Sequence, residues 1–263
     1  MIKLEKINMI FGEGTVNHNH VLKDVDLKIN RGDFITIIGS NGAGKTTLYN
    51  VISGNKKPTA GRVIINDKDV TSHPEYRRAK YIGRIFQDPL LGTAGNMSII
   101  DNMQVSGKKG FKGLKISLNK AKRDYFRGQL ERLDMELEQR MNDNVGMLSG
   151  GQRQALTLLM MSLSRPELVL LDEHTAALDP RNAGKVLELT SRFIQEYNFT
   201  VMMITHNMQQ AIDYGNRLIM MDEGRIIIDI SGKEKQNLTV ERLVKKFHDI
   251  RKKEFTSDEA LLS

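Results

Sequence analysis

The sequence predicts an α/β fold built on a mainly parallel sheet, with an antiparallel β layer at the N-terminus and an inserted α-helical subdomain. Residues 2–11 and 21–29 alternate apolar and polar side chains, as half-buried antiparallel strands do. Later, short apolar runs alternate with helical patterns and so indicate βαβ units; the runs are 34–38, 168–171, 200–204 and 217–221. A polar helical pattern interrupts this alternation between residues 88 and 147.

The composition limits the class of protein. The chain has 263 residues, of which 40% are apolar, and this is enough for a large buried core. Cysteine is absent, which excludes disulfides and thiolate metal sites and fits a reducing compartment. The first residues form no apolar signal segment, and no run approaches the roughly 18 apolar residues of a membrane span. We therefore expect a soluble, cytoplasmic protein.

The individual elements have local signals. The strand at 34–38 leads into a helix that stops at Gly54, with Pro58 just beyond. Further strands are predicted at 62–65 and 81–86. Leucines at helical spacing predict a long polar helix over 121–141. The remaining predicted helices are 152–163, 181–196 and 208–214.

A glycine-rich segment, called the P-loop below, follows the strand at 34–38 and consists of Gly39, Ser40, Asn41, Gly42, Ala43, Gly44, Lys45, Thr46 and Thr47. Its glycines let the backbone approach an anion that a Cβ would repel, and the next helix adds the positive end of its dipole. Lys45 would reach the β- and γ-phosphates of a nucleotide, and the Thr46 hydroxyl would ligate Mg²⁺. The alternative is a glycine-rich turn that fits the pattern by chance.

Two carboxylates, Asp172 and Glu173, follow the apolar run at 168–171. This is the pattern of a buried strand that emerges at the nucleotide edge of a parallel sheet. Asp172 would hold the water shell of Mg²⁺, and Glu173 would polarise the attacking water. The alternative is a strand cap with ordinary surface acids.

A second anion site is predicted at the signature segment, which consists of Leu148, Ser149, Gly150, Gly151 and Gln152. A serine at the N-cap position and two glycines expose the amides that begin the next helix. One nucleotide does not need two phosphate sites in the same chain, so this one would hold the γ-phosphate bound by another copy. The alternative is a plain N-cap after a loop.

These three segments, in this order and spacing, resemble the nucleotide-binding subunit of an ATP-binding cassette (ABC) transporter over nearly the whole chain. The resemblance implies a P-loop NTPase core and ATP hydrolysis coupled to transport. It also implies roles for single residues: Gln87 contacts Mg²⁺ and couples to the permease, and His206 contacts the γ-phosphate. Asp179 would lie at the dimer interface, and Phe11 would stack on adenine.

The resemblance further implies partners and a location. Two copies, or this chain and a homologous ATPase subunit, would enclose two ATP molecules. The permease would be a separate membrane protein served by an extracellular substrate-binding protein. The chain would lie peripherally on the inner face of the cell membrane, and no nucleic acid partner is expected. His174 stands where most members have proline, as in a subgroup of bacterial importer ATPases for amino-acid-like substrates, including tryptophan-type systems; a tolerated loop substitution is the alternative.

We expect a single ABC ATPase domain over residues 1–263. Within it, 1–87 and 165–235 would form the α/β core with its β layer, 88–164 the helical signature subdomain, and 236–263 a C-terminal basic helix and tail. The net charge is +7, and basic residues concentrate at 108–127 and 233–253. Such patches suit an anionic membrane, nucleic acid or a solvated face.

Two other functions compete with transport. A non-transport ABC ATPase would act on nucleic acid or ribosomes, but such proteins carry two cassettes, zinc cysteines or long coiled coils, and this sequence shows none of these. A non-hydrolysing structural P-loop protein is disfavoured because Glu173 and His206 are both present.

Overall fold

The computed structural model describes residues 1–106 and 119–262. The strands in this part of the chain are β1 (Ile2–Phe11), β2 (Asn19–Ile29), β3 (Phe34–Gly39), β4 (Ala60–Ile65), β5 (Lys68–Asp69), β6 (Ile82–Ile85), β7 (Leu168–Asp172), β8 (Val201–Ile204), β9 (Arg217–Asp222) and β10 (Arg225–Ser231). The α-helices there are α1 (Lys45–Ser53), α2 (Glu75–Arg78), α3 (Ile99–Ser106), α4 (Lys120–Glu131), α5 (Gly150–Ser164), α6 (Pro180–Tyr197), α7 (Met208–Asp213), α8 (Gly232–Gln236) and α9 (Val240–Leu262). The mixed α/β fold class predicted from the sequence is confirmed.

The chain divides into two units. The first comprises Met1–Glu75 and the residues from Met202 onward, and the second comprises Tyr76–Val201. Among the helices described, none combines the length and the apolar character that crossing a lipid bilayer requires. The limits predicted for the core, the helical subdomain and the C-terminal tail stay predictions.

An antiparallel sheet in the order β2-β1-β4-β5 forms the N-terminal part of the first unit. In β1 the buried residues alternate with exposed or half-buried ones, and Leu4 pairs with Leu27 on the neighbouring strand. The register shifts between Leu4 and Ile7, where Lys6 adopts a left-handed backbone with φ of 46°. The sheet confirms the antiparallel layer predicted at the N-terminus.

The second sheet of the first unit places strands side by side in the order β10-β9-β3-β8. Strand β3 runs parallel to β9, with Ile37 opposite Ile219, and β9 forms an antiparallel hairpin with β10. One buried cluster joins these strands to α7 and to the start of α9: Ile38, Ala211, Leu218, Met220, Ile228, Ile230, Leu238 and Leu243. This core fixes the end of β3 from which the P-loop leaves.

The second unit contains the parallel pair β6 and β7, in register from Ile82 opposite Leu168 to Ile85 opposite Leu171. Every residue of β7 is buried, which explains its continuous apolar run. Helix α5 packs against α3, α4 and α6. The unit therefore presents the end of β7 and the beginnings of α5 and α6 on a packed helical frame.

The predicted helix over 121–141 is wrong in its length. Helix α4 ends at Glu131, and the chain then turns through left-handed residues Asp134 and Glu136, with φ of 52° and 57°. Leu133 and Leu137 are nevertheless fully buried. A pair of tight turns can bury residues at the same spacing as a helix, so periodicity alone did not separate the two. Helix α3 and strand β10 were not predicted.

Part of the basic segment at 108–127 lies outside the described residues. Lys108, Lys109, Lys112 and Lys115 lie outside the described residues. Lys120 and Arg127 lie on α4 and are exposed. The three possible roles of this segment, contact with an anionic membrane, contact with nucleic acid or a solvated face, stay predictions.

Candidate functional site

The P-loop joins β3 to α1, as the strand-then-helix context requires. Three of its glycines have positive φ: 153° at Gly39, 83° at Gly42 and 95° at Gly44. A Cβ on Gly39 would come within 2.2 Å of the Met221 carbonyl oxygen. A Cβ on Gly42 would meet no atom within 4 Å, so this part of the loop opens outward. The loop therefore has the compact backbone and the open face that a phosphate group needs.

The polar side chains of the P-loop are partly engaged with the loop itself. Lys45 is 6% exposed, and its Nζ donates to the carbonyl oxygens of Gly39 and Ser40, both at 2.9 Å. Ser40 Oγ donates to Asp222 Oδ1 at 3.2 Å. Thr46 is exposed at the start of α1, and Thr47 is half-buried. The Lys45 ammonium thus sits inside the curve of the loop, where an anion would meet it.

His206 lies at the same edge of the first unit as the P-loop. It follows β8, and the backbone amide of Thr205 donates to the Ile37 carbonyl at 3.2 Å, two residues before Gly39. The Thr205 hydroxyl donates to Gln210 Oε1 at 2.9 Å and so holds the turn into α7. His206 itself is exposed. The structure therefore brings the predicted γ-phosphate contact to the end of β8 beside the end of β3.

Phe11 ends β1 opposite Asn19 and is 37% exposed. The neighbouring strand β2 lies against the P-loop, because the Val21 carbonyl oxygen would be 2.9 Å from a Cβ on Gly44. Between the strands, the connecting loop 12–18 is exposed, and Val16 at its tip is fully accessible. Phe11 is thus an exposed aromatic side chain. Its paired residue on β2, Asn19, is two residues from Val21, which lies against the backbone of the P-loop.

In the second unit, a cleft of about 460 Å³ brings together two of the predicted metal ligands. Asp172 and Gln87 both line it, with Phe86, Pro89 and Leu91 among the other lining residues. Asp172 is 8% exposed, whereas Gln87 is exposed. Carboxylate, amide and hydroxyl oxygens are the ligands that Mg²⁺ prefers, so Gln87 and Asp172 fit that ion chemically, as does the Thr46 hydroxyl of the first unit taken by itself. No group of three or more His, Cys, Asp or Glu side chains suited to a metal occurs in the described ranges.

A buried arginine that the sequence reasoning missed pairs with Asp172. Arg84 Nη2 lies 2.9 Å from Asp172 Oδ2, and the side chains are 11% and 12% exposed. The guanidinium also lies over the Phe86 ring, 4.7 Å from its centroid. A charged residue inside the short strand β6 was the available signal, since a charge is rarely buried there without a partner.

Glu173 begins a tight loop after β7. It is half-buried and has a φ of 46°, unusual for a residue with a Cβ, and its carbonyl accepts from the Ala176 amide at 2.9 Å. Such backbone strain is often found at functional sites.

The next residue, His174, is 3% exposed, and burial lowers its pKa to about 4. Its Nε2 lies 3.2 Å from Thr190 Oγ1 on α6, and that hydroxyl donates to the Val186 carbonyl at 2.7 Å. His174 is therefore the donor and anchors the loop to α6.

The signature segment begins α5 with a complete capping box. The Gln152 amide donates to Ser149 Oγ at 3.2 Å, and the Ser149 amide donates to Gln152 Oε1 at 3.1 Å. These bonds satisfy the amides of Ser149 and Gln152. Any anion bound here would therefore use the Gly150 and Gly151 amides together with the Ser149 hydroxyl hydrogen.

Asp179 is brought close to the signature segment through the start of α6. It caps α6 by accepting from the amide and the side chain of Asn182, at 3.1 and 2.7 Å, and these bonds lower its pKa. A Cβ on Gly151 would lie 3.0 Å from Asn182 Cβ. The glycine thus allows the beginnings of α5 and α6 to approach each other.

Comparisons with known proteins agree with this geometry. The family model described as "ABC transporter" matches residues 22–176. A tyrosine transport ATP-binding protein of Clostridioides difficile (strain R20291) is 40% identical over 248 residues, covering 94% of this chain and 98% of that protein. The methionine import ATP-binding protein MetN 1 of Enterococcus faecalis (strain ATCC 700802 / V583) is 34% identical over 247 residues, covering 91% of this chain and 67% of that protein.

Solved structures agree as well. A dimeric, post-hydrolysis structure of the ATP-binding cassette MJ0796 bound to ADP and Pi superposes with a TM-score of 0.72 at 26% identity, covering 88% of this chain and 98% of that one. The cbiO1 subunit from Clostridium perfringens, part of the ABC transporter complex cbiONQ, gives a TM-score of 0.73 at 26% identity and covers 93% of both chains.

Proposed function

Because this chain belongs to the ABC transporter family and is an ATP-binding ATPase of that family, we propose that it powers the uptake of a small solute as the ATPase subunit of an importer. The observation that carries the proposal is the P-loop, whose glycine backbone opens outward while Lys45 lies inside its curve. We further propose an amino acid as the solute. In support, the near-full-length relative from C. difficile is named for tyrosine transport, and the E. faecalis relative for methionine import.

In this proposal the chain acts by positioning groups and neutralising charge. Lys45 and the P-loop amides bind the phosphates of ATP, and the Thr46 hydroxyl with Gln87 and Asp172 would hold Mg²⁺. When bound, that ion would neutralise charge on the β- and γ-phosphates. Glu173 would orient the attacking water and His206 would contact the γ-phosphate, while Phe11 would stack on the adenine.

The proposal includes a second copy of the chain. Ser149, Gly150 and Gly151 of one copy would bind the γ-phosphate held by the P-loop of the other, with Asp179 at the contact. The relative MJ0796 is a dimer in its ADP- and Pi-bound structure, which supports this arrangement. The permease and an extracellular substrate-binding protein would be separate chains, and the ATPase would sit on the cytoplasmic face of the membrane through the permease.

A transport assay tests the proposal. Cells that carry Lys45→Ala in place of the native chain should lose ATP-driven uptake of one labelled amino acid, with tyrosine and methionine tested first. The matched control is Lys56→Ala, a lysine beyond the C-terminus of α1 and outside the P-loop. Unchanged uptake of every amino acid in the Lys45→Ala cells would overturn the proposed cargo. Absence of Mg²⁺-dependent ATP hydrolysis by the purified chain would overturn the ATPase subunit role itself.

A further inference from the structure

The ion pair between Arg84 and Asp172 lies in the cleft where the proposed function places Mg²⁺. Asp172 Oδ2 already accepts from Arg84 Nη2 at 2.9 Å, and both side chains are nearly nine-tenths buried. A charge-assisted bond of this length is among the stronger contacts available to a carboxylate. The oxygen that a metal or its water shell would approach is therefore occupied by a protein cation.

Both partners depend on this contact. A buried carboxylate without a cation is costly, and so is a buried guanidinium without an anion. A Mg²⁺ ion at Asp172 would meet a positive charge within hydrogen-bond distance of the same carboxylate, and the two cations would repel each other. Either cation can neutralise the Asp172 carboxylate. Binding both at once stabilises the carboxylate less than the two contacts would separately, because the cations repel each other.

The surroundings leave room for exchange. Arg84 lines the same cleft of about 460 Å³ as Asp172 and Gln87, a volume much larger than a guanidinium group. The Phe86 ring provides a face on which the guanidinium can rest, since it already lies 4.7 Å from the ring centroid. Movement along this face would release Oδ2 without sending the guanidinium into bulk solvent.

We propose that Arg84 competes with Mg²⁺ for the Asp172 carboxylate and so sets the Mg²⁺ concentration at which the chain holds metal and nucleotide together. This inference rests on the proposed function, because it needs Mg²⁺ at Asp172. Arg84 is a positioning residue here: it acts through Asp172 and takes no part in the chemical step.

The test uses Arg84→Gln in the full chain and measures metal dependence without turnover. Binding of a fluorescent, non-hydrolysable ATP analogue is titrated with Mg²⁺, and the thermal midpoint is measured in EDTA and in excess Mg²⁺. Loss of one charge-assisted bond corresponds to about a tenfold change in an equilibrium constant. We expect Arg84→Gln to need about tenfold less Mg²⁺ for half-maximal binding. We also expect a lower thermal midpoint in EDTA that excess Mg²⁺ restores.

Controls separate this device from a purely structural salt bridge. Arg140→Gln removes another Arg–Asp pair of the same unit, between Arg140 Nε and Asp143 Oδ2 at 2.8 Å, and should leave the Mg²⁺ requirement unchanged. Adding Asp172→Asn to Arg84→Gln should abolish the rescue by Mg²⁺. If Arg84→Gln does not fold, Arg84→Lys keeps the charge and should lower the Mg²⁺ requirement by a smaller factor.

The outcomes are distinct. An unchanged or higher Mg²⁺ requirement in Arg84→Gln, or in Arg84→Lys where the glutamine variant does not fold, would overturn the competition. A destabilisation that Mg²⁺ does not reverse would show a structural salt bridge and would overturn it too. If the unaltered chain binds the analogue without any Mg²⁺ dependence, the metal role in the proposed function fails instead.

Discussion

Ser149 is expected to serve both as a helix cap and as an anion contact, and substitutions at this position can separate the two roles. Ser149 Oγ accepts from the Gln152 amide, and the Ser149 amide donates to Gln152 Oε1 in return. Asparagine and aspartate cap helices about as well as serine, whereas alanine does not cap. Aspartate alone adds a negative charge at the helix start. The set Ser149→Ala, Ser149→Asn and Ser149→Asp therefore varies cap and charge independently.

The expected magnitudes follow from the capping geometry. Ser149→Ala removes the acceptor of one amide and should cost about 1 kcal/mol of unfolding free energy. Ser149→Asn and Ser149→Asp should stay within a few tenths of a kcal/mol of the original chain, and Asp gains slightly from the helix dipole. A carboxylate facing a γ-phosphate would repel it, so ATP hydrolysis by Ser149→Asp should fall at least about a hundredfold below that of Ser149→Asn.

Chemical denaturation and steady-state ATPase rates measure the two effects separately. All rates are compared at protein concentrations that keep the fraction of dimer equal, since the proposed contact joins two copies. If Ser149→Asn and Ser149→Asp both hydrolyse ATP as fast as the original chain, Ser149 is a helix cap and nothing more. In that case the second anion site would have to be abandoned, while the P-loop assignment would stand.

Further substitutions test other parts of the site. Glu173→Gln should abolish steady-state hydrolysis but retain ATP binding, because it removes the carboxylate that orients water; gel filtration with ATP should show an accumulated dimer, and a near-normal rate would contradict the assignment. Lys45→Ala should weaken ATP binding itself, as measured by equilibrium dialysis, and retained affinity with normal turnover would refute the P-loop role. Thr190→Val should lower the unfolding free energy by about 1–3 kcal/mol because it leaves the buried His174 N–H without its acceptor; Thr190→Ser is the control and should be nearly neutral in denaturant unfolding.

Sequence predicted best those parts of the molecule that depend on neighbouring residues. A phosphate loop needs glycines at fixed positions after a strand, and Gly39, Gly42 and Gly44 do adopt positive φ. The N-cap at Ser149 was likewise readable, because its partner Gln152 lies three residues away. These features require no knowledge of how distant segments pack.

Features that depend on distant segments were not predictable in the same way. Arg84 and Asp172 are 88 residues apart in sequence, and only the parallel pairing of β6 with β7 brings their side chains together. The burial of His174 involves its contact with Thr190 on α6, 16 residues further along the chain, and so does not follow from local preference. The predicted length of α4 was also wrong. The chain turns through left-handed Asp134 and Glu136 after the helix, and the leucines at helical spacing are all buried even though the helix has ended.

The exposed loop 12–18 offers a practical route to following this ATPase in real time. Its fully accessible residue Val16 lies in the loop between β1, which ends at Phe11, and β2, whose residues Val21 and Leu22 lie against Gly44 of the P-loop. Since the chain has no cysteine, Val16→Cys would carry a single thiol, and a maleimide fluorophore would attach there without competition from any native cysteine. With adenine at Phe11 as proposed, the emission of such a label would respond to nucleotide, and stopped-flow mixing would time nucleotide arrival and release separately from phosphate production.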